Sequence, residues 1–168
     1  MTDEALAAAC RDSRYDHLKI LEINEAGHIH QCLSVFAKHE LRSYPDLNIN
    51  DTQLESDSFD VVIHSEVLEH VDNPVHALSE CLRILKPGGA VVFTVPVMTG
   101  RMTRSREGLP ASYHGCPPQT GDDGYRVRTE FGADMWTSVI QAGFRSVKIH
   151  TRKFPASMAM VAVKDRRD

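Results

Sequence analysis

Proton-transferring and anion-clamping side chains gather at three places in this chain. His70 ends the run Ser65, Glu66, Val67, Leu68, Glu69, His70, and Tyr113 and His114 stand together further on. A positioned imidazole or phenol can take a proton from, or give one to, a reacting hydroxyl or amine. His70 has a structural reading as well, as a helix-start histidine that fixes a turn at Glu69, whose charge suits the positive end of the following helix. Arg101, Arg104 and Arg106 put three guanidinium groups within six positions, enough to grip one phosphate or carboxylate on a substrate, or to form a solvated loop. Metal ligation is not expected. His28, His30 and Cys32 alternate as ligands on a strand do, but they fall where a turn and helix belong, and His114 with Cys116 stops two ligands short of a site.

These groups need a scaffold, and the composition limits which one. At 168 residues the chain suits one domain, and its 42% hydrophobic and 25% charged fractions are ordinary for a globular protein. Nineteen Lys and Arg against 23 Asp and Glu give a net charge of −4, which argues against nucleic-acid or polybasic membrane partners. No apolar run approaches the roughly 20 residues of a membrane span, and the acidic Met1–Arg11 start is not a signal peptide. Cys10, Cys32, Cys81 and Cys116 lie far apart without a C-x-x-C pair, so the expected setting is the reducing cytoplasm.

Apolar periodicity places the elements. Residues 1–17 suit a short helix or a frayed end. Leu18–Ile23 reads as a strand that runs into a turn at Asn24 and Gly27, and Ile29–Lys38 as a helix. Phe59–Ile63 is a buried strand. Asn73 caps and Pro74 opens a helix whose stripe is Val75, Leu78, Leu82 and Leu85, and residues 86–89 turn the chain into a strand over Ala90–Val95. Residues 97–130 hold five of the ten glycines and three of the eight prolines, the mark of an irregular lid or substrate loop. Its Arg126 and Arg128 join the three arginines above against Glu107, Asp122, Asp123 and Glu130, so the segment is nearly neutral. A helix over Thr129–Ala142, with Trp136, Val139 and Ile140 on one side, precedes strands at Ser146–Thr151 and Met158–Val163 joined near Phe154 and Pro155. Alternating strands and helices imply one α/β domain, three-layered and mostly parallel, closed by an antiparallel hairpin.

Phe59–Asp60, Leu68–Glu69–His70, the helix pattern Leu78, Glu80, Arg83, Leu85 and then Lys86–Pro87–Gly88–Gly89 fall in order. This stretch resembles the class I, Rossmann-like S-adenosylmethionine-dependent methyltransferases of small-molecule type. The resemblance implies a cofactor at the carboxyl ends of the strands, where the strand order reverses. It assigns cofactor contacts to Glu22, Asn24, Ala26 and Gly27 after the first strand, to Tyr44 after the second, to Asp51 with Thr52 ahead of Phe59, and to His64, Ser65 and Glu66. Asn24, Ala26 and His28 stand where the family has glycines, with Gly27 off register; Asn tolerates positive φ and Ala is small. Only His39–Asn50 separates the first helix from Asp51, too little for a full crossover, so the region between strands two and three is reduced by a helix or an edge strand. An exposed edge favours a homodimer.

Methyl transfer from a sulfonium relies mainly on in-line placement. The expected reaction is methylation of a small-molecule or carbohydrate-type acceptor, with His70, Tyr113 and His114 as catalytic candidates and Arg101, Arg104 and Arg106 as substrate contacts. The rival reading is a domain that has lost catalysis and serves as a binding or assembly module; it expects His28 and Glu25 to fill the cleft beside Asn24 and Gly27. A nicotinamide-dependent dehydrogenase fits less well, because the closing hairpin is out of place there.

Overall fold

β-Branched and aromatic runs become the strands of a six-stranded sheet in the computed structural model, which describes residues 12–114, 123–152 and 158–166. The runs of sequence near Leu6–Cys10, Cys116, Asp122 and Phe154–Pro155 lie outside the described residues. Along the chain come β1 (Ile20–Ile23), α1 (His28–Leu33), β2 (His39–Arg42), β3 (Phe59–Ser65), α2 (Pro74–Ile84) and β4 (Leu85–Thr94). After them come β5 (Val97–Met98), β6 (Arg104–Ser105), β7 (Thr129–Gly132), α3 (Trp136–Gln141), β8 (Val147–Thr151) and β9 (Met158–Val163). The main sheet runs β2-β1-β3-β4-β9-β8, parallel from β2 to β4 and antiparallel at both contacts of β9. Every residue of β1 is buried, as expected of a parallel strand covered on both faces.

No strand forms between β2 and β3. The shortened crossover therefore costs an edge strand, and β2 becomes the border of the sheet. The first helix is also shorter than its apolar spacing suggests: only Leu33 of α1 is buried, and the chain turns at Ser34. Of residues 12–17, a single 3-10 turn at Ser13–Tyr15 forms, capped by Asp12.

The Asn73 carboxamide accepts from the His76 N–H at 3.0 Å and Pro74 opens α2. The buried side of α2 is Ala77, Leu78, Cys81 and Ile84, with Val75 and Leu82 at its margins; Leu85 already belongs to β4. Residues 86–89 do not turn away but begin that strand. Their composition has a local cause. The pairing of β3 with β4 shifts register between Phe59 and Val61, and a Cβ at Gly89 would sit 2.9 Å from the Asp60 carbonyl. Lys86 Nζ reaches Asp60 Oδ2 at 2.6 Å, so the Phe-Asp that opens β3 and the Lys-Pro-Gly-Gly that opens β4 are partners across one bulge.

The segment expected to be irregular builds its own three-stranded sheet, β5-β7-β6. Thr129–Gly132 is thus a strand and not the start of a helix, and α3 begins only at Trp136. A Cβ at Gly132 would overlap the Arg101 carbonyl and the Met102–Thr103 peptide, so β7 packs directly on the backbone of the preceding loop. Val139 is buried in α3, whereas Trp136 and Ile140 are exposed, because α3 is short and meets the body through Val139, Met135 and Ala142. Past β9, Lys164 Nζ donates to the Leu85 carbonyl at 2.7 Å and to Asp57 at 2.6 Å. Among the described residues no helix is long and apolar enough to cross a membrane.

Candidate functional site

Parallel pairing brings the ends of β1 and β3 together, with Ile23 opposite His64. Just beyond them the chain turns sharply twice, at Asn24 (φ 54°) and Glu66 (φ 54°). A cavity of about 730 Å³ opens there, lined among others by Asn24, Tyr44, Ser65, Glu66 and His70. The turn after β1 and the end of β3, both assigned to the cofactor from the sequence, meet at this cavity. The space is open: Glu25 lies at its wall, exposed, and His28 is not part of the lining. The module reading expected it to be filled.

Asn24 does the work of the missing glycine. It adopts the left-handed conformation that Asn tolerates better than most residues. Its Oδ1 accepts from the Tyr44 N–H at 3.0 Å, and its own N–H donates to the Arg42 carbonyl at 2.9 Å, so the turns after β1 and β2 brace each other. Glu22 stands behind the turn. Its carboxylate, fully buried, accepts from the Ala26 N–H at 2.7 Å and contacts His30 Nδ1 at 2.8 Å and His39 Nε2 at 2.7 Å. Burial favours the neutral acid, but the donors from His30, Ala26 and His39 outweigh it and hold Glu22 below the usual carboxylate range. The hydrogen bond to Glu22 raises His30 in turn.

Several residues assigned to the cofactor do not line the cavity. Glu22 and Ala26 are buried supports of the turn, and Gly27, at φ 61°, is exposed beyond it. Thr52 instead donates its N–H and hydroxyl to Glu80 Oε2, and Asp51 next to it is exposed. His64 points into the core and stacks on Phe93 at 5.1 Å; burial pushes it down to about 3, so it is neutral. In their place the loop 47–50 supplies Leu47, Asn48, Ile49 and Asn50 to the wall. Asn50 Oδ1 is buried with no hydrogen-bond partner, an unsatisfied acceptor on a lining residue. The cluster Leu47, Asn48, Ile49, Asn50 follows a turn and carries amides, but no spacing marked it in the sequence.

The lining carries carboxylates at Glu25, Glu66, Asp72 and Asp123 against the single guanidinium of Arg128. Such a wall favours a ligand with positive charge. S-Adenosylmethionine, with a sulfonium and an ammonium against one carboxylate, has that charge, and the size of the cavity and the orphaned Asn50 oxygen also suit it.

His70 belongs to the same lining. Its Nδ1 is 3.1 Å from the Arg126 carbonyl, which only accepts, so Nδ1 carries the proton and Nε2 keeps a lone pair. Nε2 is 3.6 Å from Glu69 Oε1, and the same oxygen meets His114 Nδ1 at 2.9 Å. The two imidazoles stack with centroids 6.1 Å apart. Burial raises Glu69 above its ordinary value, against the pull of His114 and His70, and its Oε2 has no partner. Glu69, His70 and His114 together bring ligand-type atoms within 4.8 Å of one another, a set that could also hold a cation. Tyr113 pairs through its backbone with Arg126 and its side chain is exposed.

The three arginines of the segment converge on one carboxylate. Arg101 and Arg104 reach Glu130 Oε2 at 2.5 and 2.7 Å, and Arg106 pairs with Oε1 of the same residue. Arg104, together with Arg101 and Arg106, holds Glu130 at about 2 against desolvation. None of the three lines the main cavity; Arg104 and Arg106 face a neighbouring cleft of about 520 Å³ that shares Asp72 and Arg128 with it.

Sheet order and the cavity at the strand ends define a Rossmann-like domain, the fold that S-adenosylmethionine-dependent methyltransferases of known structure share. Residues 26–93 match the family described as methyltransferase domain. Over 68 residues the chain is 37% identical to the ubiquinone biosynthesis O-methyltransferase of Pseudomonas entomophila, a stretch that is 37% of this chain and 29% of that protein. Among solved structures, the S-adenosylmethionine-dependent methyltransferase of Thermotoga maritima is similar with TM-score 0.53 and 16% identity, covering 96% of this chain and 88% of that one. The phosphoethanolamine N-methyltransferase 2 of Haemonchus contortus, in complex with S-adenosylmethionine, gives TM-score 0.55 and 14% identity over 88% of this chain and 48% of that one. This chain spans less than a third of the length of the curated relatives it matches.

Proposed function

We propose that this domain binds S-adenosylmethionine in the cavity between Asn24 and His70 and methylates a hydroxyl of a small-molecule, carbohydrate-type acceptor. The observation that carries the reading is the open, acid-lined cavity at the joined ends of β1 and β3. The O-methyltransferase names of the relatives favour oxygen as the attacked atom. Bound there, S-adenosylmethionine supplies an electrophilic methyl group on a positively charged sulfur.

This chain's residues would do the rest. Asn24 and Tyr44 fix the wall that holds the ligand, and Glu25 and Glu66 offset its charge, while Asp72 and Asp123 are already paired with Arg128. His70 Nε2 would take the proton of an acceptor hydroxyl held beside it, leaving that oxygen free to receive the methyl group. Glu69, 3.6 Å from that nitrogen, stabilises the imidazolium that results. His114 keeps Glu69 oriented through its Nδ1 contact.

The test is calorimetry with S-adenosylhomocysteine, followed by transfer from labelled cofactor to a panel of hydroxylated metabolites. Saturable one-site binding with labelled product supports the proposal. The absence of heat and of any thermal shift at millimolar ligand overturns it.

A further inference from the structure

We propose that Glu22, His30 and His39 form a binding site for one divalent transition-metal ion of the zinc type, located behind the turn after β1 and separate from the cavity. Three elements supply one group each. On paired β1 and β2, His39 stands opposite Ile20, so its side chain shares a face with Glu22 two residues along. α1 then brings His30 over that face. Glu22 Oε2 lies 2.8 Å from His30 Nδ1 and 2.7 Å from His39 Nε2, and the three ligand-type atoms lie within 4.8 Å of one another. The imidazole rings tilt at 55° with centroids 5.7 Å apart and so aim at a common point without stacking.

The donor set selects the ion. Two imidazole nitrogens and one carboxylate oxygen suit zinc, which takes such ligands at roughly 2.0–2.2 Å in tetrahedral sites with a fourth position left to water. Calcium and magnesium prefer oxygen throughout and are disfavoured here. At tetrahedral angles those bond lengths separate neighbouring ligand atoms by roughly 3.3 Å. The present contacts need to open by only about half an ångström, within reach of small side-chain rotations. On binding, each imidazole gives up the proton it directs at Glu22 and offers the freed lone pair. The carboxylate is wholly buried and the His39 side chain is 7% exposed, while His30, at 28%, leaves a way in for the ion and its water. The other Glu22 oxygen keeps its bond to the Ala26 N–H. An ion here would therefore brace the turn that carries Asn24, at the place where the family's glycines are missing.

In the sequence His30 groups with His28 and Cys32, and its partners here are hidden because Glu22 and His39 lie eight and nine residues away on different elements. A rival set, Glu69, His70 and His114, belongs to the cavity already described, and the experiment separates the two.

Protein stripped with chelator is titrated with zinc chloride by calorimetry, and with cobalt(II) by visible absorption. One zinc per chain and the intense bands of four-coordinate cobalt are expected. His30→Gln should weaken zinc binding by at least about a hundredfold, since even outer-shell losses cost 10–100-fold. His39→Gln should do the same. His114→Gln should leave the affinity within threefold. Circular dichroism checks that each variant is folded, and His30, partly exposed on a short helix, carries the test if His39→Gln unfolds. The proposal is overturned by no zinc binding up to 1 mM (roughly −4 kcal/mol). It is equally overturned by zinc binding that disappears with His114→Gln and survives His30→Gln. None of these readouts depends on methyl transfer.

Discussion

Replacing Asn24 by Gly or by Val separates the two jobs of its side chain. Both variants lose the bond from the Tyr44 N–H, which is 3.0 Å long and worth about 1 kcal/mol, so that loss cancels between them. They differ in backbone. At φ 54° a non-glycine residue pays roughly 1–2 kcal/mol, and a β-branched one more, while glycine pays nothing. Where the free turn relaxes and must be restored on binding, the penalty appears in affinity: Asn24→Val should bind S-adenosylhomocysteine roughly 5- to 30-fold more weakly than Asn24→Gly. Where the turn is held in place, it appears as lower stability, partly offset by the ~0.5–1 kcal/mol that glycine's extra freedom costs the folded state. Calorimetry with S-adenosylhomocysteine and thermal unfolding, run on both variants, capture the two routes. Equal affinities together with equal unfolding temperatures would show that the turn bears no left-handed strain, and the account of how Asn24 replaces a glycine would be wrong.

Three other outcomes are expected. Gly132→Ala should destabilise by about 3 kcal/mol, roughly 6–12 °C in unfolding temperature, because its methyl group meets the backbone of Arg101–Thr103; Gly100→Ala, with open space around it, should change stability by under about 0.5 kcal/mol. Glu80 is held down to about 2 by Arg83, with Thr52 helping against desolvation. A carboxyl lowered from 4.5 contributes stability that is fully present above pH 4.5 and is lost as pH falls towards 2, so thermal unfolding of Glu80→Gln between pH 6 and 2.5 should show a flatter acid limb than the parent. His70→Asn should lower kcat by about 10²–10⁴ with S-adenosylhomocysteine affinity within threefold; a parallel fall in affinity would move His70 from proton transfer to the binding wall.

The fold was legible where one element carries its own signals. Asn73 and Pro74 announced α2, and the β-branched runs announced β3, β4 and the closing hairpin, because caps and alternation act within a few residues. Thr129–Gly132 was misread because a strand of four residues has no period to show, and its partner strands, β5 and β6, are two residues each. The helical stripe of α2 was placed slightly wrong for a similar reason: Leu85 fits the helical spacing, but Pro87 ends the helix first. In the site, Asn24, Ser65 and Glu66 could be located from where strands stop, whereas Tyr44 followed only from the resemblance, because the four residues His39–Arg42 carry no strand pattern. The grouping of Arg101, Arg104 and Arg106 was visible as spacing, yet their common partner Glu130 is 24 or more residues away and only the small sheet brings it to them. The wall formed by residues 47–50 depends on how a loop crosses from the sheet border to β3, and nothing in its composition encodes that path.

β9 is last of the strands in sequence and yet interior in the sheet, with β4 on one side and β8 on the other. Its Met160 and Ala162 are buried in the main core, and Lys164 just after it fastens the junction of α2 and β4. Without β9 the border of β4 has no partner on that side, although it lies in the middle of the finished sheet. A chain in which β9 has come away from β4 would therefore offer that border to other molecules, which makes the seating of β9 a guard against edge-to-edge association.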